Sequence, residues 1–197
     1  TLPEGTKGTA AGRIKVDRTG GETAIDLNVR TVSATVLGVK FPKEPALALS
    51  GRLVIPADKP EIASDQVALK FGDDATASFR KFRIATDTGS FSATLNSSID
   101  FDCASPLLAL PGLTGVLELS GPLRYAGGAV AMEFRANGDG FGVTPYAAPY
   151  GTPVAVTGVL DYNVDTGKGA VTKVNGKWGD GTTLTSDRLA LQSSPFT

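Results

Sequence analysis

Apolar and polar residues alternate along most of this chain. In segment 25–30, isoleucine, leucine and valine alternate with aspartate, asparagine and arginine. Successive side chains of a β-strand point to opposite faces of a sheet, so a period of two predicts a strand with one buried face. The same period recurs in segments 91–101, 130–135 and 154–162. The pattern predicts an almost all-β protein built from one-sided strands.

Turn-forming sequences separate these predicted strands. Glycine supplies the positive φ that tight hairpins need, and short glycine-containing connections favour antiparallel neighbours. We therefore predict an antiparallel meander. The predicted turns are Thr19-Gly20-Gly21, Asp87-Thr88-Gly89, Ala126-Gly127-Gly128, Asn137-Gly138-Asp139-Gly140 and Asp165-Thr166-Gly167.

Only one short segment predicts a helix. Residues 105–110 begin with Ser105 as a possible N-cap and Pro106 in the first turn, and Pro111-Gly112 would end the helix. No amphipathic helix is available to cover the apolar strand faces. The sheet must then curl into a groove, as in a β-taco, or close into a sandwich or barrel.

The whole chain, 1–197, reads as a single repetitive β domain, with possible internal halves 1–104 and 105–197. Seven residues recur at a constant offset of 107, since 158 − 51 = 107, which indicates a repetitive sheet. The first set is Gly51, Leu53, Val67, Lys70, Gly72, Asp73 and Thr76, and the second is Gly158, Leu160, Val174, Lys177, Gly179, Asp180 and Thr183.

Composition excludes several kinds of chemistry. A net charge of −1 without any charge run argues against a nucleic-acid partner. The absence of histidine removes the usual general base and zinc ligand. The single cysteine, Cys103, is expected to be a small buried residue rather than a nucleophile. No apolar run is long enough for a membrane helix, and the chain opens without methionine, so we expect a mature or excised portion of a longer protein.

Three groups of residues are candidate sites. Asp100 and Asp102 could serve as paired carboxylates of a glycosidase, although solvated acids at a strand edge are the favoured interpretation. The acidic turns after Phe71 and Trp178 offer too few oxygen ligands for calcium, which takes about six to eight. Trp178 could stack on a ligand ring, as could the two tyrosines in segment 146–150, although packing is the favoured interpretation. We predict no catalytic residue, metal or cofactor.

One segment resembles a known family. The run from Asp100 to Leu123, DFDCASPLLALPGLTGVLELSGPL, is similar to the acidic strand, short leucine helix and Ser-Gly-x-Leu strand of AsmA-like and TamB-like bacterial envelope proteins. Residues 157–162, 179–184 and 188–191 resemble that family's repetitive strand pairs. The resemblance implies a long curved sheet whose hydrophobic trough shields acyl chains during lipid transfer. It also implies a place in the periplasm or cell envelope, with membrane-anchored partners possible.

These observations lead to one functional hypothesis. Apolar residues on one strand face would line a curved sheet and hold the tails of a phospholipid or another acyl-chain lipid. The first alternative is a structural or adhesive β-sandwich of the cell envelope or surface, in which the same residues form a closed core without a ligand. An enzyme using Asp100 and Asp102 is the second alternative. The predicted groove residues are Leu27, Phe91, Leu95, Ile99, Leu117, Val130, Met132, Phe134, Val156 and Leu160.

Overall fold

The computed structural model describes residues 7–36, 39–41, 47–72, 74–104, 112–143 and 151–192. These residues form twelve β-strands and one short helix. The elements are β1 Lys7–Thr19, β2 Glu22–Val36, β3 Val39–Phe41, β4 Leu47–Pro56, β5 Glu61–Phe71, β6 Ala75–Ala85, β7 Phe91–Asp100, α1 Phe101–Ala104, β8 Leu113–Ala126, β9 Ala129–Val143, β10 Pro153–Asn163, β11 Lys168–Trp178 and β12 Thr182–Gln192.

All twelve strands belong to one antiparallel sheet. Its order is β1-β2-β4-β5-β6-β7-β8-β9-β10-β11-β12, and β3 pairs with the end of β2 beside this path. In the described chain β1 pairs only with β2 and β12 only with β11, so the curved sheet has two open edges. The predicted all-β curved antiparallel meander is confirmed, in its open form rather than as a sandwich or barrel.

The tightest turns follow from paired glycines. Gly20 and Gly21, with φ of 61° and 86°, form the two-residue connection between β1 and β2. Gly127 and Gly128, with φ of 53° and 78°, do the same between β8 and β9. Positive φ at both positions is the geometry that matches the right-handed twist of two antiparallel strands. These connections agree with two of the predicted turns.

One predicted turn is wrong. Asn137-Gly138-Asp139-Gly140 lies inside β9 instead of between two strands. The register between β8 and β9 shifts there, at Thr114 and Val116. Gly140 has a φ of 61°, so the glycine conformation supports a β-bulge instead of a chain reversal.

The helix prediction is not settled. Residues 105–110 lie outside the described residues. The structure does describe a helix, α1, directly before them. Helix α1 spans only four residues, Phe101–Ala104. Its first turn is stabilised because the carboxylate of Asp100 accepts a hydrogen bond of 3.0 Å from the backbone N–H of Asp102.

The sheet is a single layer. Extensive contacts in the described chain join only sheet neighbours, together with α1 against β7 and β8. The accessible surface is 12509 Å², whereas a compact protein of 20.2 kDa is expected to expose about 8,800 Å². No described side chain is less than 2% exposed. The predicted halves 1–104 and 105–197 stay a prediction. The strands on both sides of that boundary, β7 and β8, are neighbours in this one sheet.

Two bulges bend the sheet at places where a lysine has positive φ. Lys81 in β6 and Lys173 in β11 have φ of 52° and 54°, and each lies at a register shift toward one neighbouring strand. In each case the neighbouring strand without the register shift, β5 beside β6 and β12 beside β11, carries a Ser-Asp sequence. Ser64 Oγ donates to the carbonyl of Gln66 at 3.0 Å. The equivalent bond in β12 joins Ser186 Oγ to the carbonyl of Arg188 at 3.2 Å.

Candidate functional site

The strand register brings apolar residues from distant parts of the chain onto one face of the sheet. Residues paired across antiparallel strands point to the same face. Leu160 is paired with both Met132 and Val171, Met132 with Leu123, and Leu123 with Ala93. One apolar row therefore crosses five strands, from β7 to β11.

The same alternation continues to both edges of the sheet. We call this surface the apolar face and define it by its large side chains. They are Ile14, Val16, Ile25, Leu27, Val29, Leu47, Leu49, Leu53, Ile55, Ile62, Val67, Leu69, Phe71, Phe79, Phe82, Ile84, Phe91, Leu95, Ile99, Leu117, Leu119, Leu123, Tyr125, Val130, Met132, Phe134, Val154, Val156, Leu160, Tyr162, Val171, Val174, Trp178, Leu184, Leu189 and Leu191.

All ten residues predicted to line a groove lie on the apolar face. They come from β2, β7, β8, β9 and β10, and the register brings them into one continuous surface. Met132 is buried, with 5% of its side chain exposed. The other nine are half-buried. The structure therefore groups these residues together, while their proposed contact with lipid stays a prediction.

Burial of the apolar face is high in the interior strands and falls at the two edge strands. Val67 in β5 and Met132 in β9 are 7% and 5% exposed, and Val174 in β11, beside the edge strand, is still only 4% exposed. At the two edges Ile14 and Val16 are each 60% exposed and Leu184 is 56% exposed. A single-layer sheet that curves toward one face brings the side chains of that face together, which accounts for burial in the middle without a second layer.

Aromatic rings fill the middle of the apolar face. The ring of Phe91 makes edge-to-face contacts with Phe79 and Phe82, at centroid distances of 6.3 and 5.4 Å. Phe134 lies over Gly158, its cross-strand partner, where a Cβ atom would come within 3.0 Å of the ring. The glycine therefore leaves the space that the phenylalanine occupies.

Helix α1 contributes an aromatic contact at one end of the apolar face. Phe101 is 5% exposed and its ring packs against that of Phe141, with the centroids 5.6 Å apart. Phe141 in turn lies against Gly138, which is on the apolar face. The short helix thus packs at the end of the sheet where β7 and β9 end.

The two candidate catalytic carboxylates have structural contacts. Asp100 holds the backbone of Asp102, as described above. Asp102 accepts a bond of 3.3 Å from the N–H of Gly115. These bonds connect the end of β7, helix α1 and the start of β8.

Cys103 differs from its sequence-based prediction. It is exposed rather than buried. The carboxylate of Asp100, followed by that of Asp74, raises the pKa of its thiol. A raised pKa reduces the thiolate fraction and hence the nucleophilicity of a cysteine.

The opposite face of the sheet is polar. Its ion pairs are exposed and include Arg83 with Glu61 at 2.6 Å and Lys15 with Asp17 at 2.7 Å. Between longer side chains lie shallow depressions of about 570 Å³, one of them lined by residues of β5 to β9 that include several serines and alanines and a threonine. These depressions form where short residues stand beside longer ones such as lysine and glutamate. They lack a convergent set of buried polar groups.

The acidic turns after Phe71 and Trp178 are the remaining candidates. Among described residues no group of three or more histidine, cysteine, aspartate or glutamate residues could hold a metal ion. Phe71 is buried on the apolar face, and Asp73 lies outside the described residues, as do Tyr146 and Tyr150. The described helix is too short to cross a membrane.

The sequence-based selection missed members of the apolar face near the bulges. Phe79 and Phe82 share this face although they are three positions apart, because Lys81 adds a residue to the strand. A signal exists in a repeated sequence: Ser64-Asp-Gln-Val-Ala-Leu69 in β5 is echoed by Ser186-Asp-Arg-Leu-Ala-Leu191 in β12. Both copies lie opposite a positive-φ lysine.

Trp178, a candidate for stacking on a ligand ring, also lies on the apolar face. It is paired with Val154, and its side chain is 37% exposed.

No protein-family model matches this chain, and no curated protein or solved structure is significantly similar to it.

Proposed function

We propose that this protein is a non-catalytic lipid-binding module that holds acyl chains against its apolar face and shields them from water during lipid transfer. The observation that carries the proposal is the continuity of the apolar face across the whole sheet, from β1 to β12, without a covering layer in the described chain.

The driving force would be apolar burial. Each methylene group removed from water contributes about 0.8 kcal/mol, without a directional partner. Monomeric proteins seldom expose contiguous apolar patches above a few hundred Å², and larger patches usually mark a binding surface. An acyl chain suits this surface because the described face carries few charged groups.

The proposed setting is the bacterial periplasm or cell envelope. The basis is the resemblance of residues 100–123 to AsmA-like and TamB-like proteins, together with the open curved sheet that this resemblance implied. Phospholipid is the proposed ligand, and membrane-anchored envelope proteins are the proposed partners. The repetitive hairpins would then form part of a path along which lipid tails move.

The single tryptophan offers a direct test. Trp178 lies on the apolar face, so a phospholipid with brominated acyl chains is expected to quench most of its fluorescence after delipidation and reloading. The control combines Trp178→Phe with Lys177→Trp, which moves the indole to the polar face one residue away. Quenching should then be largely lost. Equal quenching in both proteins, or none in either, contradicts the proposal.

A matched pair of variants tests the face itself. Val156→Glu places a charge on the half-buried apolar face, whereas Ala155→Glu places it on the exposed polar face of the same strand. Native mass spectrometry should find phospholipid with the parent and with Ala155→Glu, and much less with Val156→Glu. A parent that carries no phospholipid would contradict lipid binding and favour the ligand-free structural module.

A further inference from the structure

Strand β1 is an exposed edge with an apolar side. Its only strand partner in the described chain is β2. Edge strands present unpaired backbone N–H and C=O groups that can pair with another chain. Ile14 and Val16 on this strand are the most exposed large hydrophobic residues that the structure describes.

We propose that two copies of this chain pair through their β1 strands, antiparallel about a two-fold axis at Lys15, and so form one sheet with a continuous apolar face. The proposal goes beyond lipid binding and does not depend on it. The partner is a second copy because the charges and side-chain sizes of β1 complement those of the same strand in reverse.

The two faces of the sheet restrict the possible registers. On β1 the even-numbered residues 12–18 lie on the apolar face and the odd-numbered residues lie on the polar face. In a two-fold antiparallel pair the numbers of opposite residues have a constant sum. An odd sum would place apolar residues of one copy beside polar residues of the other, so only even sums keep the faces together.

Charge disfavours a sum of 28 and allows sums of 30 and 32, since a sum of 32 would place Lys15 opposite Asp17 of the second copy. With a sum of 13 + 17 = 30, Arg13 lies opposite Asp17 of the second copy, and this pair occurs twice. Lys15 lies opposite its own counterpart, but each ammonium is held 2.7 Å from Asp17 of the same chain. A sum of 28 would put Arg13 opposite Lys15, and like charges directly opposite each other are destabilising.

Side-chain size favours a sum of 30 over a sum of 32. A sum of 30 places Ile14 opposite Val16 of the second copy, twice, which covers the two exposed residues. It also places Arg18, the charged residue on the apolar side, opposite Gly12, which has no side chain to displace. A sum of 32 would instead oppose Arg18 to Ile14.

The other edge is less suited to such pairing. Strand β12 also exposes leucines, with Leu184 56% and Leu189 44% exposed. However, β12 lies beside the bulge at Lys173 of β11, and there the hydroxyl of Ser186 donates a hydrogen bond to the carbonyl of Arg188 in the same strand. A bulge bends an edge and interrupts the regular ladder that a second strand requires.

Sedimentation of the lipid-free chain tests the proposal. One strand pair is a small interface, so dimerisation should be weak and should depend on concentration. The mass should rise from 20.2 kDa toward 2 × 20.2 = 40.4 kDa. Asp17→Arg should abolish the dimer, and adding Arg13→Asp to it should restore the dimer. Asp187→Arg on β12 should leave it unchanged.

Disulfide cross-linking tests the register. In a Cys103→Ser background, Lys15→Cys should link two copies faster than Ile14→Cys or Val16→Cys, because only residue 15 faces itself. Fastest linkage through Val16→Cys would overturn the register, and a monomer at every concentration would overturn the dimer. Quenching of Trp178 by brominated lipid should be unchanged in Asp17→Arg, so failure of the dimer and failure of lipid binding can be distinguished.

Discussion

The middle strands and the edge strands of this sheet share one sequence pattern but differ in burial. In β9, Met132 is 5% exposed, whereas in β1 the equivalent apolar position Val16 is 60% exposed. Both residues alternate with polar neighbours and both face the same side of the sheet. The difference teaches that alternation assigns a side chain to a face, while the number of neighbouring strands and the curvature of the sheet decide its burial.

The largest expected effect on stability comes from truncating Met132, with truncation of Val16 as the comparison. Met132→Ala should lower the free energy of unfolding by about 2 to 5 kcal/mol, because it removes buried contacts and leaves a cavity. Val16→Ala should lower it by less than about 1 kcal/mol. Urea unfolding of the lipid-free chain measures both. Equal losses would mean that the middle of the apolar face is as open as its edge.

A second comparison uses glycines from the middle and from near the edge. Gly121 in β8 has a φ of 152°, and an added Cβ would collide with the carbonyl oxygen of Glu133. Gly121→Ala should therefore destabilise the protein by about 2 kcal/mol or more. In β11, a Cβ at Gly176 would meet Leu184 at an ordinary 3.4 Å.

The matched variant is consequently Gly176→Ala, which should change the free energy of unfolding by less than about 1 kcal/mol. Thermal or urea unfolding can measure the two glycine variants under identical conditions. A large loss in Gly176→Ala would show that the sheet around Gly176 and Leu184 is packed as tightly as it is around Gly121.

The smallest expected effect concerns the end of the sheet beside α1. Asp100 and Asp74 raise the pKa of the exposed Cys103 thiol. Asp74→Asn should lower that pKa, so more thiolate exists at a given pH and alkylation becomes faster below the pKa. Asp187→Asn, on the distant β12, is the control. The pH profile of iodoacetamide reaction measures the change, and an unchanged profile in Asp74→Asn would contradict it.

Much of the fold could be predicted because its signals are local. The period of two in segments such as 91–101 reflects a face that is apolar within one strand, and the glycine pairs at 20–21 and 127–128 fix the turns. In an antiparallel meander those faces remain on the same side from strand to strand. This explains why ten residues chosen from separate strands share the apolar face.

The failures have a physical cause as well. The sequence Asn137-Gly138-Asp139-Gly140 suits a turn and a bulge equally, because both use positive φ at glycine. The bulges at Lys81 and Lys173 require lysine in a conformation that local preference disfavours. Phe82 was missed for this reason: its place on the apolar face depends on an extra residue that alternation alone does not reveal.

By itself the sequence determined the class of fold, the meander and the side of the sheet to which most apolar residues point, because these depend on neighbouring residues and short turns. Only the tertiary structure decided that the sheet stays open, where it bulges, and that burial fades from Met132 toward Ile14 and Leu184. Those properties depend on which strands pair across the whole chain and on how the completed sheet curves.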